Sequence, residues 1–177
     1  MTMAAEVPAK TWLKLLALAS ALALGGAYVL QYGFGFEPCE LCHWQRYPYM
    51  AVIAVAAAGV VSRYVRLALL VVVALFLTGA GIALYHVGVE QGVFALPAGC
   101  AAVGAATTVE DLRAQLMTQA PACDQVSVSF LGLSLSAWNA LTATSLALAS
   151  VLALRAPLDK QPRRGPTGSA GRIRFSR

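Results

Sequence analysis

Four long, almost uncharged apolar runs constrain this chain more than any other feature. Trp12–Tyr32 is apolar apart from Lys14, and Tyr47–Val61 carries no charge but is short, so its helix is expected to begin earlier, around Leu41 to Trp44. Leu67–Val89 has only Tyr85 and His86 as ionisable side chains, and Val126–Leu154 is uncharged throughout, with Ser134–Leu154 fitting one span. A helix needs about 20 predominantly apolar residues to cross a bilayer core. Inside lipid the backbone must satisfy its own polar groups, so such runs are read as helices. Composition agrees: 12% of residues are charged and 59% hydrophobic, with a mean hydropathy of +0.68. A soluble domain usually carries about twice that charge, which excludes an ordinary cytosolic globule, a disordered chain and a collagen.

The expected fold class is therefore an all-α integral membrane protein, a four-transmembrane-helix bundle with two outward loops. The spans are placed at 12–32, 43–61, 67–89 and 134–154, within a membrane domain of residues 1–155. Outer loops occupy 33–42 and 90–133, and residues 156–177 form a basic tail, rich in Pro, Gly, Ser and Arg, expected to be disordered. The first run has a rival reading as a signal peptide, with Lys10 and Lys14 ahead of Leu15–Leu24. Against it, the apolar sequence continues through Gly25 and Gly26 to Tyr32 without a clean cleavage pattern.

Charge distribution orients the bundle. Lys10, Lys14, Arg63, Arg66, Arg155, Lys160, Arg163, Arg164, Arg172, Arg174 and Arg177 fall on one side, and only Arg46 and Arg113 on the other. That second side holds Glu37, Glu40, Glu90, Glu110, Asp111 and Asp124. By the positive-inside rule both termini are cytoplasmic, and all four cysteines face outward. The net charge of +5 is spent in short patches between apolar runs, so no nucleic-acid partner is expected. In the second outer loop, Val109–Met117 places Val109, Leu112, Leu116 and Met117 at helical spacing. A short amphipathic helix is expected there, lying on the membrane surface or packed on the other loop.

The cysteines carry the chemistry. Cys39-Glu40-Leu41-Cys42 stands where a loop enters the second span, and a helix start stabilises a thiolate. Arg46 follows Cys42 by one turn, so its guanidinium can point back toward that sulfur, and an arginine at a membrane boundary calls for a reason. A static disulfide clasp is one alternative, although so small a loop stabilises little. Zinc held with His43 is another, but there is no second close pair at finger spacing. No metal site is expected. Cys100 and Cys123 form a distant pair in the second loop, most simply a structural disulfide. Pro97 and Pro121 just upstream suggest accessible backbone open to another protein's thiol. His86 lies near the outer end of the third span, at about the depth expected of Arg46, and is either water-satisfied or functional. Trp44, Tyr47, Tyr49, Tyr85 and Trp138 read as an interfacial aromatic belt, and some could line a cofactor pocket.

The four spans, the first-loop Cys39-x-x-Cys42 with Arg46, the Cys100 and Cys123 pair and the Tyr85-His86-x-Gly88 stretch together resemble DsbB, the bacterial disulfide-bond formation protein family. The resemblance runs from about Trp12 to Leu154 and leaves out the tail. It implies a protein-dithiol:quinone oxidoreductase of the bacterial inner membrane, with redox cysteines facing the periplasm. Its thiol partner would be a DsbA-like thioredoxin-fold oxidase, and its acceptor a membrane quinone, ubiquinone or menaquinone. By family precedent the partner forms its mixed disulfide with Cys100, and Cys123 exchanges with Cys39. Electrons then reach the Cys39–Cys42 pair, Cys42 faces the quinone, and Arg46 and His86 are the candidate quinone contacts. The residues themselves add that no G-x-G-x-x-G after a strand and no P-loop is present. His43 and His86 lie at the same end and cannot ligate stacked haems across a membrane. Gly79, Ala80 and Gly81 are expected to leave room for a lipid-soluble acceptor. The rival class is a scaffold whose two disulfides only staple its loops.

Overall fold

The computed structural model describes residues 7–97, 100, 108–110, 113, 121–126 and 128–158. Four long helices account for most of them. α1 spans Ala9–Tyr28 and runs on into a π-helical turn over Val29–Gly33; α2 spans Glu40–Val61, α3 Val65–Glu90 and α4 Leu135–Ala153. By length and composition Ala9–Gly33, α3 and α4 are apolar enough to cross a membrane. α2 opens with Glu40, His43, Gln45 and Arg46 in its first two turns, which lowers its hydropathy at that end. The expected helix over 109–117 falls mostly outside the described residues, as does the tail beyond Leu158.

Helix starts follow local chemistry. Cys39 is the N-cap of α2, its sulfur accepting from the Cys42 N–H at 3.4 Å. Ser134 caps α4 by accepting from the Ala137 N–H at 3.2 Å. Ahead of α4, β1 (Ser129–Phe130) and β2 (Leu133–Ser134) form a minimal hairpin, with Phe130 opposite Leu133. Its two central residues, Leu131 and Gly132, both have positive φ, at 52° and 79°, as a tight hairpin turn requires.

In the bundle α2 packs between α1 and α3, and α4 packs chiefly on α3, while α1 and α4 barely touch. The core in the half away from the cysteines is built of Leu13, Leu16, Val52, Ala56, Leu69, Val72, Phe76 and Ala147. Helices approach closely there through small residues: a Cβ on Gly59 would lie 2.6 Å from that of Ala68 and 2.8 Å from the Leu13 side chain. Just past the other end of α3, Phe94 folds back so that its ring occupies the space a Gly88 side chain would take, and it stacks on Tyr85 at 5.3 Å.

Candidate functional site

Both cysteine pairs meet at one end of the bundle. Cys100 and Cys123 are joined in a disulfide, and Cys39 and Cys42 are free thiols with their sulfurs 2.9 Å apart. Cys39, Leu41, Val89, Cys100 and Cys123 form one buried cluster with Cys42 packed against it. Cys100 and Cys123 are only 3% and 0% exposed, so the accessible loop bridge expected from Pro97 and Pro121 is corrected. The disulfide is seated on the start of α2, because a bridge between apolar neighbours gains more from burial there than from water.

Three polar groups converge on the Cys39 sulfur: the Cys42 thiol at 2.9 Å, the Cys42 backbone N–H at 3.4 Å and His86 Nε2 at 3.6 Å. The thiol neighbour first, then His86 and the backbone N–H, hold the Cys39 thiol well below its ordinary value, against the opposing pull of burial. His86 is buried inside α3, and its Nε2 also lies 3.1 Å from the Cys123 carbonyl. Glu90, one turn on, is 3.8 Å from His86 and accepts from the Ser134 hydroxyl at 2.6 Å, tying the end of α3 to the start of α4.

Arg46 is also buried, at 9% exposure. Its Nη1 donates to Gln31 Oε1 at 2.6 Å, and its guanidinium lies 4.9 Å from the centre of the Tyr28 ring. Gln31 belongs to the π-helical turn, a local widening that often marks functional positions. The guanidinium is thus fixed by α1, and its charge acts on Cys42 through space.

Beside these groups lies a cleft of about 360 Å³. Its walls are mainly apolar, from Ala23, Leu24, Ala27, Leu30, Phe36 and Leu135, while Cys42, Gln45, Arg46, His86 and Asn139 supply polar groups. α1 and α4, which barely touch, both contribute to its lining. The small residues Gly79, Ala80 and Gly81 do not line it; a Gly79 side chain would meet Pro48 instead. Trp138 lines the cleft, its indole donating to the Phe130 carbonyl at 3.0 Å. Tyr49 leaves the expected aromatic belt: it is buried, and its hydroxyl donates to Asn139 Oδ1 at 2.6 Å. Trp44 and Tyr47 are exposed.

Two kinds of guest suit these donors. A planar, lipid-soluble molecule with carbonyl oxygens fits an apolar cleft that ends in thiol and guanidinium groups. The ligand atoms of Cys39, Cys42 and His86 also lie within 4.8 Å of one another, a set able to hold a soft metal ion. The Cys123 carbonyl can only accept, however, so His86 Nε2 carries a hydrogen that it would have to lose before binding a metal. Sequence reading missed Gln31, Gln45 and Asn139. Their signal was amides set in apolar runs, which a membrane environment makes costly.

Comparison with known proteins gives the same assignment. The model of the disulfide bond formation protein DsbB family matches residues 9–153, and the chain belongs to that family. It is 28% identical over 140 residues to Disulfide bond formation protein B of Aromatoleum aromaticum, covering 73% of this chain and 82% of that one. It is 25% identical over 127 residues to an uncharacterized protein, RP370, of Rickettsia prowazekii, covering 69% and 74% respectively. No solved structure matches significantly. Family and apolar helices together fit a membrane oxidoreductase of disulfide bond formation.

Proposed function

We propose that this member of the DsbB family transfers electrons from a periplasmic DsbA-like dithiol to membrane quinone. In this reading all four helices cross the inner membrane, both termini are cytoplasmic, and the cysteine end faces the periplasm. The observation that carries the proposal is the seating of both cysteine pairs in one buried cluster at the edge of a mainly apolar cleft.

In the internal exchange of this reading, a dithiol at Cys100 and Cys123 gives two electrons to a Cys39–Cys42 disulfide, which leaves the loop pair joined and the α2 pair as thiols. Cys39 is the sulfur prepared to leave in that exchange, because the Cys42 N–H and His86 Nε2 lie against it and favour its thiolate. With the sulfurs 2.9 Å apart, the remaining thiol proton can pass between them. Charge carried by Cys42 would then face the Arg46 guanidinium and the cleft. When bound, quinone supplies a sink for two electrons and two protons. Ala23, Leu24, Ala27 and Leu30 would hold its ring away from water, and Arg46 would bind a carbonyl oxygen. His86 lines the cleft with both ring nitrogens already engaged, so its part lies on the thiol side.

The test is a purified-protein assay with a reduced thioredoxin-fold oxidant and a soluble quinone, followed by quinone absorbance. Quinone reduction that requires both Cys42 and Cys100 is expected. Turnover unaffected by either replacement, or none with several quinones and a competent partner, would leave the stapled scaffold as the better account.

A further inference from the structure

A line of buried and half-buried polar side chains leads from the middle of the bundle to the cysteines. Tyr49 Oη donates to Asn139 Oδ1 at 2.6 Å, Asn139 Nδ2 donates to Gln45 Oε1 at 2.6 Å, and Gln45 Nε2 donates to His86 Nδ1 at 2.7 Å. The line crosses from α2 to α4 and back before reaching α3. Each amide uses its oxygen to accept and its nitrogen to donate, so the polarity of the first link sets that of every later one. At its end, His86 Nδ1 faces a group that can only donate. At the other side of the ring, Nε2 faces the Cys123 carbonyl, which can only accept. Both constraints select one tautomer, with the hydrogen on Nε2 and directed at the Cys123 carbonyl and the Cys39 sulfur.

We propose that Tyr49, Asn139 and Gln45 are positioning residues that lock His86 as an Nε2–H donor, so that one N–H holds the loop disulfide in place and stabilises the Cys39 thiolate. No proton need travel along the line; its work is to fix a ring and a tautomer. The tyrosine hydroxyl can donate or accept; the Cys123 carbonyl at the other end, which can only accept, is what makes the polarity single-valued. Locking matters because the other tautomer would turn a lone pair toward both the carbonyl and the sulfur, repelling each. Among the described residues, the charged and titratable groups that share the cleft with His86 are Glu37 from the loop before α2, Cys39, Cys42, Arg46 and Tyr49 from α2 and its cap, and Glu90 on its own helix. The α4 side chains that line the cleft beside it, Ser136 and Asn139, are neutral. The proposal rests on reading Cys39 as a redox thiol but does not depend on quinone.

The experiment measures alkylation of Cys39 against pH in the reduced full-length chain in detergent, with each cysteine read separately by mass spectrometry. Gln45→Met is expected to slow Cys39 alkylation about fivefold on the acid limb of its profile, the scale of one ordinary hydrogen bond, and to move the profile to higher pH. Asn139→Leu and Tyr49→Phe should do the same with decreasing size along the line. In a His86→Phe background Gln45→Met should add nothing, since its effect passes through the ring. An unchanged profile in Gln45→Met, or an equal shift with and without His86, would overturn the proposal. Should Gln45→Met fail to fold, Tyr49→Phe, which removes one oxygen, is read in the same pair of backgrounds. A graded alkylation series without quinone turnover would sink the proposed function and leave this inference standing. Normal turnover with a flat series would do the opposite.

Discussion

The two ends of this bundle are made by the same four helices under different rules. Away from the cysteines, Leu13, Val52, Leu69, Val72 and Phe76 fill a core closed by small residues such as Gly59 and Ala147. At the cysteine end the interior holds Gln45, Arg46, His86, Glu90 and two thiols. The first end is held mainly by packing, with a backbone hydrogen bond from the Ala9 N–H to the Pro157 carbonyl at 3.0 Å. The second is held by partners: Arg46 by Gln31 and Tyr28, Glu90 by Ser134, His86 by Gln45 and Cys123. Apolar packing tolerates changes that conserve volume. A buried polar network punishes the loss of any one member, because its partner is left unpaired in a medium that offers no replacement. Among the described residues, charges that are buried, fixed and adjacent to the cleft lie at the second end, where the proposed chemistry is placed.

The contrast can be broken at several points. The largest expected effect is chemical: Cys42→Ser should reduce dithiol-to-quinone turnover to background while leaving the melting temperature in detergent nearly unchanged. Residual turnover above that of a protein-free control would mean Cys42 is not the outlet. Next is Phe76→Ala in the packed half, which should cost about 3–5 kcal/mol through the cavity it leaves, read by denaturant or thermal unfolding. If it also removed turnover in the folded fraction, the two ends would not be separable. Gly59→Val should cost about 1–3 kcal/mol by overpacking against Ala68 and Leu13, again visible in unfolding with turnover retained. Arg46→Met belongs to the other end. It should raise the quinone KM about tenfold, the scale of one charge-assisted hydrogen bond, with Cys39 alkylation little changed. Normal quinone kinetics would remove Arg46 from the acceptor site. The smallest effect is expected for Trp44→Phe, an exposed residue bonded to Glu40 at 2.8 Å, within about 0.5 kcal/mol.

The direction of the Cys39 shift adds a pH expectation. A thiol held below its ordinary value stays ionised, and hence reactive, as pH falls through the usual thiol range. Cys39 alkylation should therefore persist in mildly acidic solution where an unperturbed thiol slows, and a profile with an ordinary midpoint would remove the activating role of His86.

Much of the architecture could be read from the chain. Uncharged runs announce helices because lipid penalises charge and unpaired backbone alike, and Cys39-x-x-Cys42 lay at a helix start as its flanking residues implied. The burial of Cys100 and Cys123 could not be read, since loop residues reveal only what they are and not what they rest on. Tyr49 looked interfacial beside Tyr47, yet the two point to different faces of one helix, and only Asn139 across the bundle explains why Tyr49 is inside. Asn139 is the chain's one asparagine and lies in an apolar run, where an unpartnered amide would be costly.

What the sequence by itself determined is periodic or local: where apolar runs lie, how the basic residues are spaced between them, and which cysteine starts a helix. These follow from solvent preference and from the residues three or four places away. What only the tertiary structure decided is polarity and partnership: that His86 presents Nε2–H, that Arg46 is held by α1, and that the loop disulfide rests on Cys39 and Leu41. Those depend on side chains from segments far apart in the chain, and a hydrogen bond takes its direction from the group it meets.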